Sequence, residues 1–120
     1  MQWNHRGSGH VQVTVDGPDV FFQEAFTLDN GLPCQDRKCW HFGEEGIIFR
    51  HFREQRFQDI LLLVPDAGGI HLVAQMPYSC PPDRYDGSLS LHDGTLELRL
   101  RITGARKDED IRYRYRADPS

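Results

Sequence analysis

Cysteine is scarce in this sequence. Cys34, Cys39 and Cys80 are an odd number of cysteines, and no two of them form a Cys-x-x-Cys pair. A disulfide framework normally uses an even number of cysteines, and thiol redox motifs need the paired spacing. The sequence therefore predicts free thiols and a reducing, cytoplasmic setting.

Long apolar runs and an excess of positive charge are also missing. No apolar stretch approaches the roughly 20 residues of a membrane-spanning helix, and no charged, apolar and small-residue signal opens the chain. The formal net charge of −4 disfavours general binding to nucleic acid. We therefore expect neither a membrane nor nucleic acid among the partners.

Motifs for metals and cofactors are absent as well. The candidate ligands are scattered along the chain, and no two of them stand at ligand spacing within one motif: His41, His71, His92, Cys39 and Cys80. No Gly-rich phosphate loop precedes a helical pattern, which excludes nucleotide-binding folds. The sequence predicts no metal site and no cofactor.

What the sequence does contain is period-two alternation, clearest near its C-terminal end. Segments 88–92, 96–103 and 111–116 each alternate apolar with polar residues, which predicts strands with one buried face. Asp93-Gly94 joins the first two segments, and this dipeptide is a strong hairpin signal. We expect one face to be buried and the arginines between its residues to be exposed; that face is Leu96, Leu98, Leu100 and Ile102.

Shorter patterns of the same kind fill the rest of the chain. Segments 11–15, 20–28, 37–42, 47–52, 60–64 and 70–76 have strand character, and segment 53–58 is either a loop or one helical turn. The total is eight or nine strands with short connections and no amphipathic helix. This predicts one all-β domain over residues 1–120, an antiparallel up-and-down barrel with room for packed side chains or one small ligand.

Several short motifs resemble, in their order along the chain, a family of small lipocalin-like (calycin-type) proteins known only as a domain of unknown function. They are Trp3, Gly7 and Gly9; Phe22-Gln23-Glu24; Arg37 and Trp40; Gly69-Ile70-His71; Cys80, Asp83 and Tyr85; and Gly104-x-Arg106-Lys107-Asp108 before Tyr113-x-Tyr115-Arg116. The resemblance implies a barrel with a central cavity and no established activity. The chain has Tyr78 and Ala105 where that family tends to have His and Pro, and the first departure weakens a metal or acid–base role near Cys80.

Glu24 is the sharpest candidate for a functional residue, because it falls on an otherwise apolar strand face. A buried carboxylate needs a partner or a raised pKa. We expect it either to face the cavity and contact Arg37 or a tyrosine hydroxyl, or to sit in a structural ion pair or in water at the rim. The predicted pocket lining follows from a common inward alternation: Phe22, Glu24, Trp40, Phe42, Leu98, Leu100, Tyr113 and Tyr115. Arg37 is added to the ligand-binding candidates as a possible partner of Glu24.

Two further regions carry candidate chemistry. His71 would point inward if its neighbours pack outside, but a position on the solvent face is favoured. A Pro-rich loop carries Cys80, Asp83 and Tyr85, which could form a site. More commonly, an Asp at such a position caps a turn and a Tyr fills the mouth of a barrel.

Three functions follow from this pattern. The first is binding of a small apolar or aromatic molecule that carries a polar group. The second is a cofactor-independent isomerase, cyclase or lyase, with Glu24 as general base and with His71 and Tyr85 as further catalytic candidates. The third is a packed barrel that docks a protein through its arginine-rich outer face, which is more simply a solvated and charge-balanced surface. A homodimer remains open.

Overall fold

The computed structural model describes residues 5–69 and 71–117, and every helix or strand element in those ranges is a β-strand. The strands are β1 (Gly7–Asp16), β2 (Asp19–Leu28), β3 (Pro33–Phe42), β4 (Ile47–Arg53), β5 (Arg56–Pro65), β6 (Leu72–Ala74), β7 (Tyr78–Cys80), β8 (Asp83–His92), β9 (Thr95–Gly104) and β10 (Asp108–Arg116). The all-β prediction is confirmed. None of these described residues forms a helix long and apolar enough to cross a bilayer.

The strands form one antiparallel sheet that is nearly closed into a barrel. Nine strands follow one another in the order β1-β2-β3-β4-β5-β6-β8-β9-β10, and the short β7 pairs with β8 outside this path. Nine is an odd number, so the first and last strands of the path run in the same direction. The antiparallel ladder cannot continue from β10 to β1, and these two strands are the edges of the sheet.

The β8–β9 hairpin has the register that the sequence predicts. Asp93 and Gly94 form its turn with φ values of 50° and 75°, as the favoured two-residue hairpin turn requires. The predicted apolar face is buried at Leu98, Leu100 and Ile102 and half-buried at Leu96, whereas the arginines between them are exposed.

Segment 53–58 is neither a loop nor a helical turn. Arg53 ends β4, Arg56 begins β5, and Glu54 and Gln55 between them both have positive φ values, 54° and 69°. This conformation gives a tight turn whose twist matches that of the flanking strands. The polar composition of this segment did not indicate a hairpin, because the two residues of its turn are not glycines.

The apolar core fills the part of the interior that faces β3, β4, β5 and β9. Phe49, Leu63 and Leu98 are fully buried. The complete buried cluster is Phe22, Trp40, Phe49, Ile60, Leu61, Leu63, Leu89, Leu98 and Leu100. No residue of β1 or β10 belongs to this cluster, and the buried polar side chains Glu24 and Lys38 contact the tyrosines of β10.

The outer arginine face is balanced by carboxylates, as the sequence predicts. The pairs lie across neighbouring strands, with nitrogen–oxygen distances of 2.7 Å for Arg99–Asp110, 2.8 Å for Arg101–Asp108 and 3.0 Å for Arg114–Glu97. Such exposed pairs discourage edge-to-edge association and contribute little to stability.

Candidate functional site

A fully buried lysine lies at the centre of the polar side of the barrel. The Nζ atom of Lys38 donates hydrogen bonds to Oε2 of Glu24 at 2.8 Å and to Oδ2 of Asp36 at 2.9 Å. Strand register explains the arrangement, because Glu24 is paired with Asp36 and Phe22 with Lys38 across the β2–β3 ladder. Alternation turns all four of these side chains to the inner face.

His51 extends this cluster to the neighbouring strand. Its Nε2 lies 2.6 Å from Oδ1 of Asp36, and β4 brings it there because His51 is paired with Lys38. Burial is the largest influence on the Asp36 carboxyl and raises its pKa. The hydrogen bond from His51, with the charge and hydrogen bond of Lys38, outweighs burial and holds the pKa of Asp36 below its ordinary value of 3.8.

Two tyrosines of β10 cover the cluster. The hydroxyl of Tyr115 donates to Oε2 of Glu24 at 2.8 Å, and Nζ of Lys38 lies 3.7 Å from the centroid of the Tyr113 ring. The two rings are nearly parallel, at 6°, with centroids 6.4 Å apart. Burial first, and then the charge of Glu24, raises the pKa of the Tyr115 hydroxyl far above its usual range, so it remains a neutral hydrogen-bond donor.

A cleft of about 620 Å³ lies between the two edge strands, β1 and β10. Its buried or half-buried polar side chains include Glu24, Tyr113 and Tyr115, and its lining also contains His5, Ser8, His10, Arg112, Arg114 and Arg116. Its apolar side chains come from three strands and are Val11, Val13, Phe26, Leu28 and Ile111. Among the described residues, both hydrogen bonds that Glu24 accepts end at Oε2, which leaves Oε1 for an occupant of the cleft.

The chain was compared with protein-family models, curated proteins and solved structures. The model described as "Family of unknown function (DUF6314)" matches residues 2–117. The chain belongs to this family. No curated protein and no solved structure matches it. The resemblance noted in the sequence is thereby confirmed, and family membership assigns no activity.

One glycine of the opening motif of this family member has a clear structural reason. A Cβ atom added to Gly9 would overlap the carbonyl oxygen of Ala25 on β2, so only glycine permits the close approach of β1. Gly7 is also crowded by Phe26 and Leu28 and, like Gly9, lines the cleft. Trp3 lies outside the described residues.

The structure divides the predicted pocket residues into two groups. Glu24, Tyr113 and Tyr115 meet at the cleft. The others that point inward belong to the packed apolar core and do not line the cleft: Phe22, Trp40, Leu98 and Leu100. Large apolar side chains at these positions fill the interior that a central cavity would otherwise occupy.

Two predicted pocket residues do not point into the barrel. Arg37 is exposed, and its guanidinium lies 5.1 Å from the Phe52 ring centroid. The partners of Glu24 are Lys38 and Tyr115 and not Arg37. Phe42 has the inward parity of β3 but is 54% exposed, because it ends the strand where the chain turns away through residues 43–46.

The remaining catalytic candidates lie apart from Glu24. His71 is exposed at a bend before β6, as the favoured interpretation predicts, and the Tyr85 hydroxyl accepts a hydrogen bond from Nη1 of Arg53 at 3.1 Å. Asp83 lies 3.5 Å from Nζ of Lys107. Ile70 and the side chain of Cys80 lie outside the described part of the chain.

Sequence reasoning missed the central residue, Lys38, and its partners Asp36 and His51. Alternation along the strand could have revealed Lys38 and Asp36. Trp40 was expected to face inward, and these two residues lie two and four positions before it on the same strand. Within the described ranges, no group of three or more His, Cys, Asp or Glu side chains is arranged to hold a metal ion.

Proposed function

We propose that this chain is a lipocalin-like binding protein that takes up a small apolar or aromatic molecule with a polar group in the cleft between β1 and β10. The cleft volume of about 620 Å³ suits such a ligand. Apolar walls with a few convergent polar groups are the usual composition of a ligand site.

The observation that carries the proposal is the position of Glu24. The residue is 5% exposed, and it still lines the cleft. Burying an ionised carboxylate is costly unless it is paired, and an apolar residue would fill the same place without that cost. A carboxylate kept at a cavity wall, with one oxygen held by Lys38 and Tyr115, supports a role in ligand recognition.

The test is a ligand-observed NMR screen of a fragment library against the parent and two tryptophan variants. Val13→Trp fills the cleft from β1, whereas Val15→Trp adds the same bulk two residues further along that strand, at a position that does not line the cleft. We expect fragments that bind the parent and the Val15 variant but not the Val13 variant. A library without such hits would contradict the proposal.

The enzyme alternative lacks a supporting contact in the described residues. His71 and Tyr85, the other two candidate catalytic side chains, do not line the cleft that Glu24 lines. Glu24 as a general base, and docking of a partner protein on the outer arginine face, therefore remain predictions from the sequence.

A further inference from the structure

We propose that the polar group of the ligand is a positively charged amine whose N–H donates to Oε1 of Glu24. This inference rests on the proposed function and adds the charge of the ligand. It follows from the charges of the buried cluster, the orientation of Glu24 and the aromatic rings beside it.

The two buried carboxylates share one ammonium. Glu24 and Asp36 both contact Nζ of Lys38, and His51 contacts Asp36 and not Glu24. A buried carboxylate that shares its cation is incompletely compensated, and a cationic ligand at Glu24 would supply further positive charge.

The two carboxylates are not equivalent. Asp36 receives Lys38 on one oxygen and His51 on the other. Glu24 receives both of its donors, Lys38 and Tyr115, on Oε2. The acceptor capacity that remains is therefore at Oε1 of Glu24, and Glu24 is the carboxylate that lines the cleft.

The tyrosine rings favour a cation over an anion. An ammonium group already lies against this surface, since Nζ of Lys38 is 3.7 Å from the Tyr113 ring centroid. Aromatic faces attract cations, and Tyr113 and Tyr115 both line the cleft with nearly parallel rings. Burial, followed by the charges of Asp36 and Glu24, raises the pKa of Tyr113, so its hydroxyl remains neutral.

The arginines of β10 also line the cleft. Arg112, Arg114 and Arg116 alternate with the tyrosines and are exposed, whereas Glu24 is buried. The guanidinium of Arg114 is paired with Glu97. Exposed charges are screened by physiological salt far more than buried charges are.

The first test compares three probes that share a phenyl ring and differ in their polar end. Affinities of 2-phenylethylammonium, 2-phenylethanol and 3-phenylpropanoate are measured by NMR titration at pH 7. We expect the ammonium to bind at least about tenfold more tightly than the alcohol, which corresponds to about 1.4 kcal/mol, and the carboxylate to bind most weakly. An alcohol or carboxylate that binds as tightly as the ammonium would overturn the inference.

Variants separate the charge effect from the pocket itself. Asp36→Asn removes the carboxylate that shares Lys38 with Glu24 and does not touch the cleft lining, so it should weaken ammonium binding about tenfold while alcohol binding is unchanged. Glu24→Gln should remove the preference for the ammonium, and the exposed Glu44→Gln is the matched control. Circular dichroism and thermal melts establish that each variant folds.

The outcomes distinguish this inference from the proposed function. Alcohol and ammonium that bind equally, with binding blocked by Val13→Trp, would refute the charged ligand and leave the binding cleft in place. Probes that bind equally to the Val13 and Val15 tryptophan variants would refute both. An unchanged ammonium affinity in the folded Asp36→Asn and Glu24→Gln variants would refute the charge argument alone.

Discussion

Replacing Lys38 with methionine isolates the contribution of the buried ammonium. The substitution keeps most of the side-chain volume but leaves Glu24 and Asp36 without the cation between them. Removing one partner of a buried ion pair typically costs about 3–5 kcal/mol. Lys38 is completely buried and serves two carboxylates at 2.8 and 2.9 Å, so we expect a loss of about 4 kcal/mol in the free energy of unfolding.

The assay is urea unfolding at pH 7, followed by circular dichroism. The matched control is Lys107→Met, which removes a lysine that is also paired with a carboxylate. The Lys107 side chain is 50% exposed, and its Nζ lies 3.5 Å from Oδ2 of Asp83, so its loss should cost less than about 1 kcal/mol. Equal losses in the two variants, both below about 1 kcal/mol, would refute the reasoning.

A second substitution extends the test. Adding Glu24→Gln and Asp36→Asn to Lys38→Met replaces the charged cluster by neutral side chains of similar shape. Removing all the charges of a buried ion pair is far less destabilising than removing one, so the triple variant should recover much of the lost stability. A triple variant less stable than Lys38→Met would mean that shape, and not charge, controls the site.

Three further predictions concern the sheet, the core and acid stability. Gly9→Ala should destabilise the protein by about 2 kcal/mol, because its Cβ would overlap the backbone of β2. Gly43→Ala is the control, because its Cβ would make only ordinary van der Waals contacts, and thermal melts compare the two variants. Phe49→Ala should cost about 3–5 kcal/mol and the exposed Phe42→Ala much less, as measured by urea unfolding; similar losses would place the core elsewhere. The folded-state pKa of Asp36 is below 3.8, so the stability that its ionised carboxylate contributes is present above that pH and is lost as the pH falls through the folded-state pKa. Asp36→Asn should therefore flatten the dependence of the free energy of unfolding on pH in this acid range. An unchanged dependence would contradict this.

Local sequence patterns were sufficient for the C-terminal hairpin. Asp93-Gly94 specifies a turn with positive φ at both positions, and alternation fixes which face of β9 is buried. The turn at Glu54 and Gln55 could not be predicted in this way, because neither residue favours positive φ by itself. The surrounding strand pairing imposes that conformation.

The candidate site was only partly predictable. Alternation was enough to turn Glu24 inward, because it depends on one strand. Its partner depends on the β2–β3 register, which sets Lys38 and not Arg37 on the inner face beside it. The position of the cleft depends on how many strands the sheet contains. The three-residue β6 is too short to be recognised from apolar–polar alternation.

The hydrogen bond between Tyr115 and Glu24 also has a consequence for the order in which the chain folds. It joins residues 91 positions apart, and β10 is synthesised after the other nine strands. Contacts between such distant segments form slowly, whereas the β9–β10 hairpin is local and its contacts form fast. Until Tyr115 reaches Glu24, β10 is therefore the free edge of the open sheet. Its exposed arginines, Arg112, Arg114 and Arg116, discourage that edge from pairing with another chain.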